Sequence, residues 1–133
     1  MQEVPVYSGQ ASVQLNENVP YFEAYEIIGG SFEYYSNLDE LGRCDVCFAS
    51  IATDIMPTEE RGEIGQIKPS GWQSVKYDIV EGKYLYNRSH LIGYQLTAEN
   101  ANKENLITGT RYFNATLMLP YENMEPAKPD TKK

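Results

Sequence analysis

The stretch from Tyr84 to Asn114, YLYNRSHLIGYQLTAENANKENLITGTRYFN, constrains the fold most, because two strand-like runs flank a polar turn segment and a helical pattern follows. Tyr84-Leu85-Tyr86 has the aromatic and apolar character of a short strand, and Asn87-Arg88-Ser89-His90 follows directly. The single histidine, His90, therefore falls where a strand ends, a place that holds a side chain in a fixed direction. Turn formers crowd Ala98 to Asn105 before a second β-rich run, Leu106 to Thr110, and the two runs are expected to pair. Arg111 to Asn114 then leads toward Leu117 and Met118, where the apolar spacing turns helical and continues through Tyr121 and Met124. The predicted order is strand, loop, strand, helix.

These residues resemble the core of the DNA/RNA non-specific endonucleases, the ββα-metal or His-Me finger group that includes the streptococcal DNA-entry nucleases. The preceding residues, PTEERGEIGQIKPSGWQSVKYDIVEGKYLYNRSHLIGYQL, are similar to the Gram-positive branch of that group, and the similarity runs from about Val4 to Met124. The family motif Asp-Arg-Gly-His stands here as Asn87-Arg88-Ser89-His90. Arginine and histidine are kept, and Ser89 implies that the backbone there does not need a glycine-only conformation.

The resemblance implies an α+β fold: a ββα-metal core with a mixed, mainly antiparallel sheet, incomplete at the C-terminus because the family continues its helix and adds further strands. It implies His90 as general base, Asn114 as the asparagine that ligates a metal, and Glu122 as the acidic residue that follows on the metal helix. The expected metal is Mg²⁺, with Mn²⁺ as a substitute. The implied reaction is hydrolysis of DNA, extending to RNA, with little sequence preference and 5′-phosphate products. Family members are commonly secreted or surface-linked, which implies the same location here, with the export segment absent from this chain.

The chemistry of the residues agrees with these roles. A neutral imidazole accepts a proton from water while a hard cation stabilises charge on a phosphate. Magnesium takes oxygen ligands and keeps several waters, so an Asn114 amide oxygen, two phosphate oxygens and water make a sufficient set without a carboxylate cluster. Arg88 suits bidentate contact with the phosphate. Each residue also has an ordinary reading: His90 as a packed histidine, Asn114 as a cap or turn residue, Glu122 as a solvated helix residue, Arg88 as an ion-pair partner.

A net charge of −8 argues at first against a polyanionic ligand. The distribution is uneven, however: residues 1–60 carry eleven acids and one base, while residues 61–133 carry ten bases and eight acids. Arg61, Lys76 and Arg111 are candidate substrate contacts in the more basic half, alongside Lys68, Lys83 and Lys103. Trp72 reads either as a packed residue of the Ser70-Gly71-Trp72 turn or as a platform for exposed bases.

Elsewhere, Val4–Tyr7 and Ala11–Leu15 read as two β segments of a hairpin, Leu38–Gly42 as a helical turn, and Val46–Ala52 as a central buried strand beside the one leading to His90. Cys44 and Cys47 form a C-x-x-C, read as packed thiols or, second, as a strained local disulfide. Zinc would need two more ligands where only His90 is on offer, and a redox motif should open a helix. With 133 residues, 41% hydrophobic and eleven tyrosines, one domain with a real core is expected. That domain spans 1–124, with β segments over 1–60, the metal core over about 72–124, and a disordered tail over 125–133 where prolines and charges end the helix. No apolar run of about eighteen residues is present, so no membrane-spanning helix is expected. The main functional expectation is a metal-dependent endonuclease; the alternative is an inactive nuclease scaffold that binds nucleic acid or a protein.

Overall fold

Four short strands and two short α-helices carry the regular structure of residues 3–27 and 29–124, the part that the computed structural model describes. The chain divides into two units, 1–30 and 31–133. The expected tail over 125–133 lies outside the described residues. No described helix is long and apolar enough to cross a membrane.

In the first unit the predicted hairpin does not form. Val4, Val6 and Val13 are exposed, and the described backbone up to Leu15 has no strand. A two-stranded ribbon needs a covered face to be stable, and none of these side chains finds one. The chain instead turns at Asn16–Asn18 and Ala24–Ile27, two 3₁₀ segments.

The second unit begins with β1 (Phe32–Tyr35), paired antiparallel with β2 (Cys47–Ser50) so that Phe32 faces Ser50 and Tyr35 faces Cys47. The Phe32 and Phe48 rings meet edge to face, 5.3 Å between centroids. Between these strands the predicted helical turn is a tight turn instead, closed from Gly42 N–H to the Asp39 carbonyl at 2.9 Å, and the Asp39 carboxylate accepts from the backbone N–H groups of Leu41 and Arg43 at 2.9 and 2.8 Å. Placing β2 next to the His90 strand was wrong. Its ladder belongs to β1, and its residues are half-buried rather than buried on both faces. The apolar run is covered instead by backbone: Cys47 donates its thiol to the Glu104 carbonyl at 3.3 Å, and Cys44 reaches the Leu106 carbonyl at the same distance. Both cysteines are free and half-buried, and burial raises their pKa values, Cys47 to about 11, which disfavours the thiolate.

The predicted pair of strands is present, the second at its predicted bounds and the first displaced from Tyr84–Tyr86 to Tyr86–His90, so that His90 is its last residue. β3 (Tyr86–His90) pairs antiparallel with β4 (Leu106–Thr110), Tyr86 opposite Thr110 and His90 opposite Leu106. Between them lies α1 (Tyr94–Thr97), which Ala98 closes in the left-handed conformation at φ 59°. A 3₁₀ turn at Lys103–Asn105 follows. Leu106 is the one large apolar side chain among the described residues that is fully buried, so the core is smaller than the composition suggests.

Polar groups hold the rest together. Asn105 is completely buried, and its amide bonds both backbone groups of Ile92, accepting from the N–H at 2.8 Å and donating to the C=O at 2.9 Å. Its own carbonyl accepts from Leu91 N–H at 3.0 Å, so one residue fixes the chain directly after His90.

Ser89, where the family has glycine, is extended and fully buried, and Gly109 on β4 makes its room. A Cβ at Gly109 would lie 2.5 Å from Ser89 Oγ and 3.1 Å from Phe113 Cδ1. Gly109→Ala is therefore expected to destabilise the fold by about 1–3 kcal/mol through overpacking. Ser89→Gly in the same chain should recover part of that loss, as a urea melt of both variants would register.

The helix begins immediately after β4. Thr110 Oγ1 accepts from Phe113 N–H at 3.0 Å and caps it. The first full turns, Phe113–Met118, are π-helical and run into α2 (Leu119–Glu122). Pro120 explains the width: a proline inside a helix removes a donor and crowds the carbonyl four residues back, and wider turns ahead of it relieve both.

Candidate active site

His90 is the last residue of β3, 5% exposed, with one ring nitrogen fully committed. Its Nε2 lies 2.8 Å from the Asn100 carbonyl, which can only accept, so Nε2 carries the proton. The neutral ring thus keeps its free lone pair on Nδ1. Burial lowers the pKa of His90, and the nearby positive charge of Arg61 acts in the same direction against the pull of the Asn100 carbonyl. Burial and Arg61 thus favour the neutral form of the imidazole.

A histidine whose folded pKa is depressed contributes stability that is full above its unfolded value and lost as pH falls through the window below it. Any reaction that uses this imidazole as a free base slows as the ring takes up a proton. The acid limb of a pH–rate profile is expected to have its midpoint below 6.5, the ordinary value for histidine; a midpoint above 6.5 would contradict a desolvated base.

A cavity of about 160 Å³ opens beside the ring. Arg61, Arg88, His90, Asn114 and Glu122 all line it, although the chain separates the first from the last by the whole ββα unit. Asn114 arrives on the second residue of the π-helical turns and Glu122 on the last of α2. Burial pushes the Glu122 carboxyl up, while a hydrogen bond from Gln95 and the charge of Arg61 pull it back. Asn114 and Glu122 both line this cavity and carry oxygen donors, the type magnesium selects; no cluster of three His, Cys, Asp or Glu occurs among the described residues, and an ion that keeps most of its waters needs none.

Arg88 is held more firmly than the sequence suggested. Its Nε donates to the Ile67 carbonyl and its Nη2 to the Gly65 carbonyl at 2.8 Å. Its guanidinium stacks on the Trp72 ring at 3.8 Å. Those two bonds leave three of its five N–H hydrogens, both on Nη1 and one on Nη2. Trp72 is half-buried rather than core, its turn closed by a 3.0 Å bond from its N–H to the Pro69 carbonyl with Gly71 at φ +74°.

Lys76 and Arg111 do not line this cavity. Lys76 lies over the Tyr84 ring at 4.7 Å, and Arg111 faces Glu81 at 3.8 Å across the Gly82 turn. Sequence reasoning missed Asn100 and Asn105, which set the histidine tautomer and the strand exit. Both sit in a segment whose composition says only turn, and no local signal separates the buried Asn105 or the half-buried Asn100 from a solvated asparagine.

A second, wider groove of about 920 Å³ shares Arg61, Arg88 and Asn114 with the first. Among known structures, the chain is similar to NucA from Streptococcus agalactiae, solved with a magnesium ion bound. The TM-score is 0.54 at 20% identity, over 67% of this chain and 42% of that one. The likeness shows the shared fold, and the chain spans less than half the length of that nuclease. Among curated proteins, none matches. Residues 21–132 match the family described as DNA/RNA non-specific endonuclease, and the chain belongs to that family.

Proposed function

We propose that this protein is a magnesium-dependent endonuclease that hydrolyses phosphodiester bonds of DNA, and of RNA, without reading base sequence. One observation carries the reading: a buried, neutral histidine with a free Nδ1 borders the same small cavity as Asn114, Glu122, Arg88 and Arg61. In the mechanism, Nδ1 of His90 takes a proton from the attacking water while the Asn100 carbonyl keeps the ring in the productive tautomer. Arg88, locked by Gly65, Ile67 and Trp72, offers its remaining N–H groups to a phosphate oxygen. Arg61, which also lines the cavity, adds positive charge. Asn114 would hold the magnesium through its amide oxygen, and Glu122 would orient water beside it. When bound, that ion supplies charge that polarises the phosphate and stabilises the departing 3′ oxygen.

Magnesium in the NucA structure supports the choice of metal; that manganese substitutes, and that the protein acts outside the cell, are part of the same proposal. Lys76 and Arg111 would meet a longer substrate beyond the cavity. End-group analysis tests the bond that breaks. Fragments should carry a 5′ phosphate and a 3′ hydroxyl and be rejoined by DNA ligase, whereas 3′-phosphate ends would rule out this geometry.

A further inference from the structure

The groove beside the His90 cavity has a chemistry that the cleavage step does not use. Its walls include three aromatic rings, Trp72, Tyr84 and Tyr86, together with the Ser74 hydroxyl, the Asn87 amide and the Lys68 ammonium. Its volume of about 920 Å³ lies within the range of small-molecule sites, roughly 300–1,000 Å³. Two of the rings carry a cation on one face, Arg88 on Trp72 at 3.8 Å and Lys76 on Tyr84 at 4.7 Å. A stacked cation occupies one face of a ring and leaves the other to a flat partner.

Resting on the nuclease reading, we propose that this groove is a subsite for one unpaired nucleotide adjoining the scissile phosphate. The protein therefore engages single-stranded nucleic acid in preference to a duplex. A base has the flat faces the rings accept and the edge donors and acceptors that Ser74 and Asn87 match, while Lys68 and Arg61 match its phosphates. The groove and the His90 cavity share Arg61, Arg88 and Asn114, so a nucleotide in one is next to a phosphate in the other. A duplex base has both faces stacked and its edge paired, and it enters only by leaving the helix. Aromatic stacking is tolerant of base identity, so the subsite selects for strandedness and not for sequence.

Trp72 is the chain's single tryptophan, and its emission reports directly on the groove. The wild-type protein is titrated in EDTA, where nothing is cleaved, with a short thymidine oligonucleotide, an abasic strand of equal length, and the corresponding duplex, all at one salt concentration. The base-bearing strand is expected to change Trp72 emission and to bind about tenfold more tightly than the abasic strand. The duplex should bind more weakly than the base-bearing strand. Equal affinity for the two single strands, tighter binding of the duplex, or tight binding with unchanged emission overturns the subsite.

Anisotropy with labelled strands then compares Trp72→Ala and Tyr84→Ala. The loss must fall on the base-bearing strand; if Trp72 merely steadies Arg88, both strands weaken equally and the proposal fails. Failure of the nuclease reading is separate, since it shows as an uncut plasmid in magnesium, while plasmid cleavage with equal strand affinities sinks the subsite alone.

Discussion

Alanine in place of His90 is expected to lower the rate of DNA cleavage by about 10²–10⁴, the usual contribution of a positioned general base. The ring is fixed at the end of β3, its Nε2 is committed to the Asn100 carbonyl, and only Nδ1 can take a proton from water. Because His90 is buried, the substitution also leaves a hole and an unpaired carbonyl, so lost activity alone would not separate chemistry from folding. Imidazole added to the buffer makes the separation. If the missing group is a base, free imidazole entering the hole should restore part of the rate, with an acid limb set by imidazole's own pKa. Circular dichroism would show whether the strands remain; a folded variant that cleaves at the wild-type rate would remove His90 from the mechanism.

Asn114→Ala is expected to cost more than about 100-fold in apparent magnesium affinity, since losing even an outer partner of a metal ligand typically costs 10–100-fold. Alanine is a better helix former than asparagine, so the helix that carries the site should not weaken. The change therefore acts on the donor and not on the scaffold. Cleavage measured against magnesium concentration should shift to much higher metal, with thermal stability in EDTA unchanged. An unshifted magnesium dependence would assign the metal to other ligands.

The ββα unit was legible because its signals are local. Leu106–Thr110 was read to the residue, and His90 was expected at a strand end because an aromatic run stops there. The helix was anticipated too late, since its start is set by the Thr110 cap rather than by apolar spacing, and its π turns reflect Pro120. Long-range facts were not legible. The apolar run around Cys47 contains nothing that says which strand it pairs with, and β1 won through the Phe32–Phe48 contact. The N-terminal valines looked like strand residues because β propensity describes a half-buried surface, and no surface covers them.

In the candidate site, the resemblance supplied His90, Asn114 and Glu122, and the fold brings them to one cavity with Arg88 and Arg61. Net charge was the misleading quantity: −8 overall conceals the arginines that converge on that cavity.

The most direct test is supercoiled plasmid incubated with the folded wild-type protein in magnesium and in EDTA, with His90→Ala alongside. The account predicts nicked and linear DNA from the wild type with magnesium, and intact plasmid in EDTA and with the variant. Intact plasmid in every lane, or equal cleavage by the variant, would contradict it.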